Sequence, residues 1–332
     1  MKKILQLLLI ISICACFVIF LQGTDIGESV RLVKQLGVYC FLILIATFFA
    51  YLAGTLGWRY CIDSANSPSL LQLFAIRHVG NTITLFNPTG VIAGELYNAR
   101  MLMNNGIEEK SAYQSVLLGR ILMTLSQLLL LVVLLIWFIL YLSARISPDI
   151  MFLIYLCFFV VLFFITILFF VLLKKGKDRK ESVTEKKWQK IIFHITEMRS
   201  LLARYIRKRP GETTMAFFLY TLQWILNSLE LFFILYFLNY SVTIWDGLFL
   251  DTLIIVMKST VAFIPGQLGV EELINKFVLY LFGISSPDLW LSVSILRRTR
   301  QLFWSGIAAL LYIQQKKIKN TVKVHGSIVR KS

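Results

Sequence analysis

The chain is 332 residues long, 58% hydrophobic and only 16% charged, with a mean hydropathy of +0.74; soluble globular chains are about 45–50% apolar and about 25% charged. That balance excludes an ordinary soluble enzyme and points to helices in hydrocarbon. The formal net charge of +16 is confined mainly to a central loop, 174–211, and a tail, 315–332; such segments beside apolar spans follow the positive-inside rule and attract anionic headgroups, so no nucleic-acid partner is expected.

Taken in chain order, Lys2 and Lys3 precede a first apolar stretch, 4–21. It is longer than a signal-peptide core and no small-x-small cleavage site follows, so an uncleaved first helix is expected. Further crossings are expected at 37–57, 112–142, 150–173, 212–239 and 287–314, each with roughly 18 or more residues available to cross about 30 Å of hydrocarbon. Four of the five cysteines, Cys14, Cys16, Cys40 and Cys157, lie within these spans, and Cys61 lies at a span end. With no CxxC pair among them, they read as small apolar packing residues rather than disulfides or zinc ligands.

Placing the basic loop and tail in the cytoplasm fixes the topology of the remainder. Segments 68–105 and 244–283 must each make no net crossing. Both are too polar for lipid-facing helices and both are interrupted, at Pro88, Gly90 and Gly94 and at Pro265, Gly266 and Gly269. Each therefore reads as a broken re-entrant hairpin shielded by the bundle. The predicted fold is an all-α polytopic membrane protein, a single integral domain over 1–332 with about six full crossings, two re-entrant hairpins and both termini cytoplasmic.

A fixed shift of 177 positions, without gaps, aligns the two hairpins. Phe86 falls on Phe263, Pro88 on Pro265, Glu95 on Glu272, Asn98 on Asn275, Gly106-Ile107 on Gly283-Ile284, Ser115-Val116 on Ser292-Val293, and Arg120 on Arg297. Polar matches in register over this length predict two copies of one unit, about 37–142 and 212–314, in opposite orientation. Inverted repeats with paired interrupted helices point to a transporter whose site lies near the midplane; a duplication kept only for packing is the plainer alternative.

The same segments resemble a known family. Pro265-Gly266-Gln267-Leu268-Gly269-Val270-Glu271-Glu272 is similar to the Pro-Gly-Gly-x-Gly-x-x-Glu signature of the lysylphosphatidylglycerol synthase transmembrane (flippase-like) family. Gly94-Glu95-Leu96 and Ser115-Val116-Leu117-Leu118-Gly119-Arg120 resemble its Gly-Glu and Ser-Val-x-x-Glu-Arg motifs. The resemblance spans roughly 35–315. It implies an integral protein of the bacterial inner membrane with a role in lipid translocation or lipid modification. Three departures imply a changed substrate or a divergent branch: Gln267 stands at the second Gly, Gly119 at the Glu, and Asn98 where a basic residue is common. The soluble aminoacyl-transferase domain of fused relatives has no counterpart here, so lysyl transfer by this chain is not expected.

Charges at membrane depth cost at least about 2.5–3.5 kcal/mol each, so they require partners or a wet cavity. The candidate substrate path is Glu95, Asn98, Arg100 and Arg120 in the first unit and Lys258, Glu272, Asn275 and Arg297 in the second, with Asn81 as a further polar group. Glu95–Arg120 and Glu272–Arg297 are expected to pair, within each unit or in exchange, and either arginine suits a lipid phosphate. Purely structural ion pairs are the competing reading. Arg298 and Arg300 are expected to serve the helix end or headgroups, and Glu230 and Asp251 to stand isolated.

In the basic loop, Trp188, Ile191, Ile195, Met198, Leu202 and Tyr205 recur at helical spacing among lysines and arginines. They describe an amphipathic helix on an anionic leaflet or a partner, or a connector packed on the bundle's own cytoplasmic face. His78, His194 and His325 are scattered, with no metal spacing, P-loop or GxSxG, so neither a metal nor a cofactor is expected. The expected function is movement of a phospholipid or lipid-linked headgroup between leaflets, without catalysis. The alternatives are a non-transporting subunit presenting lipid to a glycosyl- or aminoacyl-transferase partner, and an intramembrane lipid-modifying enzyme using Glu95 or Glu272 as base. Anionic or lipid-linked membrane lipids are the expected partners in each case.

Overall fold

The structure, a computed structural model, describes residues 34–63, 67–86, 91–141, 203–260 and 269–329, together with single positions at 27, 31 and 267 and several within 151–166. The expected first span, most of 150–173, the loop up to 202 and the tips Pro88, Gly90, Pro265 and Gly266 lie outside them. Every regular element among the described residues is helical. They are α1 (Cys40–Arg59), α2 (Leu70–Phe86), α3 (Val91–Asn104), α4 (Glu109–Tyr141), α5 (Pro210–Phe237), α6 (Ile244–Thr260), α7 (Val270–Leu281) and α8 (Pro287–Val329).

Three of these stretches, Lys34–Arg59, Glu109–Tyr141 and Pro210–Phe237, are long and apolar enough to cross a membrane. Their outer faces remain apolar. Phe41, Ile45 and Phe49 on α1, Leu129, Val133 and Ile136 on α4, and Phe218 on α5 are exposed. Water would not tolerate so continuous a hydrocarbon surface, whereas lipid does. The protein is an all-α membrane protein. Helix α8 covers the expected span 287–314, but Asp288, Arg297, Arg298 and Arg300 interrupt its apolar run. It also continues into the basic tail as far as Val329, because no proline stops it.

The centre of the bundle is the pairing of α1 with α5. On α1 the inward positions Ala46, Ala50, Ala53, Gly54 and Gly57 are small and buried, which lets two helix backbones approach where hydrophobicity alone gives no driving force. A Cβ on Gly57 would sit 3.3 Å from the Ala216 carbonyl oxygen, and one on Gly54 would overlap Gln223 and Arg77. Around this pair, α2 packs on α3 and α6 on α7, forming the arms of the two interrupted hairpins.

The halves share one order of helices with nearly matching ends. Moved by 177, α3 would end at residue 281, where α7 ends, and α4 would begin one residue before α8. The packed pairs also interchange: α1·α2 corresponds to α5·α6, α2·α3 to α6·α7, α3·α4 to α7·α8, and α2·α8 to α6·α4. Even the corners agree. Gly106 (φ 87°) and Gly283 (φ 75°) are left-handed, and Ile107 N–H donates to Leu102 O at 3.2 Å as Ile284 N–H donates to Leu279 O at 3.0 Å. This is the six-to-one bond of a Schellman turn, which needs glycine at the left-handed position.

At one end of the bundle, Tyr205 is buried among Cys61, Ile62 and Ala216, and its hydroxyl donates to Tyr60 O at 2.7 Å. Arg209 pairs with Asp63 at 2.7 Å and with Glu212 at 3.1 Å. The end of the basic loop therefore packs on the protein's own bundle. Trp188, Ile191, Ile195, Met198 and Leu202 lie outside the described residues.

The α1–α5 contact predicts that Gly54→Leu destabilises the protein by about 1–3 kcal/mol, the usual cost of overpacking. Gly306→Leu, at a position with open space, should be neutral or slightly stabilising; thermal unfolding in detergent distinguishes the two.

Candidate functional site

The first half gathers its polar groups around a small open cleft of about 30 Å³, lined by Trp58, Arg77, Asn81, Glu95, Asn98, Val116, Gly119, Arg120, Met123 and Tyr220. Helices α2 and α3 meet closely beside it. A Cβ on Gly94 would overlap Thr84 and the backbone of Gly80, and one on Gly80 would overlap Asn98. Gly94 thus belongs to the helix contact that sets Glu95 and Asn98 against the cleft. Asn98 donates from Nδ2 to Glu95 Oε2 at 3.3 Å, while its buried Oδ1 has no hydrogen-bond partner among the described residues.

The expected Glu95–Arg120 pair is present but loose, at 3.9 Å, with side chains 29% and 38% exposed. Arg120 makes no hydrogen bond among the described residues. A guanidinium has five N–H donors in a planar fork, so this one retains unused capacity toward the cleft. Opposite it, Arg77 is buried. It donates to Gln223 Oε1 at 2.9 Å and approaches Tyr51 O at 3.5 Å, with its guanidinium 5.9 Å from the centre of the Tyr220 ring. At Gly119, where the family motif expects Glu, a Cβ would lie 2.7 Å from the Tyr220 hydroxyl. The tyrosine occupies the room that a carboxylate side chain would need.

The second half is dense with charge instead. Arg297 on α8 bonds to Asp251, donates to Asn275 Oδ1 at 2.9 Å and lies 3.6 Å from Glu230. Arg298 donates to Glu272 at 2.8 and 3.2 Å, to the backbone oxygen of Gln267 at 3.0 Å, and pairs with Glu271 at 3.3 Å. Lys258 bonds to Glu271, and Arg300 donates to Glu230 at 2.5 Å. The cations Lys258, Arg297, Arg298 and Arg300 thus meet as many carboxylates, Glu230, Asp251, Glu271 and Glu272, and the cluster is self-neutralised. Its carboxylates and Arg297 are at most 5% exposed. Glu271 and Glu272 open the first turn of α7, where the helix dipole favours negative charge.

Several sequence expectations change here. Glu272 pairs with Arg298 rather than with Arg297, because successive residues of α8 point in different directions and Arg297 already faces Asp251 and Glu230. Arg298 and Arg300 serve the buried network instead of a helix end or headgroups. Glu230 and Asp251 each hold an arginine. Arg100 is exposed on α3 and does not line the cleft. Gly269, with φ 75°, forms the left-handed N-cap of α7, directly after the expected tip Pro265-Gly266. Arg77, Tyr220, Gln223 and Glu271 escaped the sequence reading. Arg77 and Glu271 are charges in apolar surroundings, a usable signal. Tyr220 and Gln223 carry none, since only the close α1–α5 approach brings them to Arg77.

Comparison with known families matches residues 3–309 to the lysylphosphatidylglycerol synthase TM region. The chain belongs to that family. The lysylphosphatidylglycerol synthase TM region is a membrane region of lipid-related function, which agrees with the apolar exterior and the charged interior described above. No curated protein matches the chain.

The two halves of this family member should respond differently to loss of an arginine. Arg298→Ala leaves two buried carboxylates short of a partner and should cost about 3–5 kcal/mol. Arg120→Ala removes a loose, part-exposed pair and should cost at most about 1 kcal/mol. Unfolding of both purified variants in detergent measures the difference.

Proposed function

We propose that the protein is a flippase-like transporter that moves a phospholipid or lipid-linked headgroup between the leaflets of the bacterial inner membrane. The observation that carries this reading is the pair of matching halves, each a long helix, an interrupted hairpin and a second long helix, with an open, positively charged cleft beside one hairpin. In this reading the halves are copies in opposite orientation, both hairpins are re-entrant, and both termini are cytoplasmic. A headgroup enters the cleft, where Arg120 takes its phosphate by charge-assisted hydrogen bonds while the acyl chains remain against the apolar exterior. Glu95 holds Arg120 when no lipid is bound and releases it when phosphate competes. In this reading the chain carries out no bond-making step; among the described residues no group of three or more metal-ligating side chains accompanies Glu95.

The density of the second half's ion pairs favours a second reading, in which one half is fixed and the chain presents lipid to a separate glycosyl- or aminoacyl-transferase. Proteoliposomes containing a fluorescent phospholipid separate the two. The transporter reading expects the protein to equilibrate label between leaflets and expects Arg120→Ala and Glu95→Gln, folded and inserted, to slow this at least about tenfold. Unchanged flipping in both variants would exclude the cleft as the path. No flipping by the intact protein, with a transferase recovered in stoichiometric amount, would support the presenting subunit.

A further inference from the structure

The shift of 177 positions makes each half a template for the other, and the two differ most around their shared arginine. Arg120 corresponds to Arg297. The carboxylates that Arg297 meets, Asp251 and Glu230, correspond to Phe74 and Ala53 in the first half. The Lys258–Glu271 pair corresponds to Asn81 and Gly94. The first half therefore has an arginine of the same rank without the two carboxylates and with a cleft beside it, while the second has the carboxylates in place.

We infer that the chain carries one working oxyanion site, at Arg120 in the first half, and that the matching place in the second half is filled by the chain's own Asp251 carboxylate. Asp251 stands in for the ligand: it marks where an oxyanion meets the arginine and what chemistry satisfies it. The charge balance agrees. Among the described residues that line the cleft, Arg77 and Arg120 face Glu95 alone, which leaves one positive charge in excess, whereas the second cluster is neutral without any ligand. An excess cation in a part-buried cleft attracts an anion more strongly than it would in open water. This deepens the lipid reading above and rests on it only for the source of the oxyanion, a phospholipid phosphate.

Asn81 tunes the site. It lines the cleft and is exposed, so an isosteric Asn81→Asp removes the excess positive charge with little effect on packing, and Asn81→Lys adds a second positive charge. Native mass spectrometry of the full chain, delipidated in detergent and titrated with short-chain phosphatidylglycerol, should show one bound equivalent. Short-chain diacylglycerol, which lacks phosphate, should not bind. Asn81→Asp should weaken binding about tenfold, Asn81→Lys should tighten it, and Arg120→Ala should weaken it about 10- to 100-fold. Opposite responses at one exposed residue cannot come from misfolding. Two equivalents per chain, or Asn81 variants that bind alike, would overturn the inference. Arg120-dependent binding of glycerol phosphate in place of the lipid would keep the oxyanion site and overturn its lipid source. Lipid binding without flipping would leave this site standing and remove the transport reading; flipping without Arg120-dependent binding would do the reverse.

Discussion

A charge in hydrocarbon must be neutralised or hydrated, and the interior of this protein is organised by that requirement. The helices present apolar side chains outward, so every ionised group inward of them needs an opposite charge, a dipole or water within a few ångströms. In the second half the requirement is met inside the chain. Arg298 is the central connector: it joins α8 to both carboxylates of α7's first turn and to the backbone at Gln267, so the end of an interrupted hairpin is held by a side chain from another helix. In the first half the same requirement is met only in part, and the cleft beside Arg120 is the consequence.

Much of the architecture could be read from residue types. Continuous apolar runs gave α1, α4 and α5 to within a few residues, because an unbroken apolar run of this length satisfies its backbone in lipid as a helix. The matched Pro, Gly, Glu, Asn and Arg positions are the sequence's pointer to two related halves, and at Gly106 and Gly283 both matched glycines sit where the backbone turns left-handed. The pairing of charges was much less legible. Sequence places Glu272 and Arg297 about as far apart as Glu95 and Arg120, but the direction in which neighbouring side chains leave α8 decides which of Arg297 and Arg298 reaches Glu272. A rotation of about 100° per residue is invisible without the helix axis. Asp251 and Glu230 looked solitary for the same reason, since their partners lie 46 and 70 residues away.

Residues without charge were harder still. Tyr220 and Gln223 belong to a long apolar helix; Tyr220 reaches the cleft and Gln223 reaches Arg77 only because Gly54, Gly57 and Gly119 leave space for them. Three glycines on α1 and α4 thus decide how Arg77 is held and which group fills the room a family carboxylate would take. Packing of small residues is what converts two ordinary membrane helices into one wall of a site.

The redundancy around Arg297 has a consequence for substitution. That guanidinium meets two acids, and one of them, Glu230, also serves Arg300. Losing Asp251 alone would therefore not open a cleft in the second half, because Glu230 would remain beside the arginine; losing Glu230 alone would take the carboxylate partner from Arg300. Several replacements, each harmful until the next arrived, would be needed to undo the arrangement. The arrangement is therefore protected against single substitutions by the cost of each intermediate step.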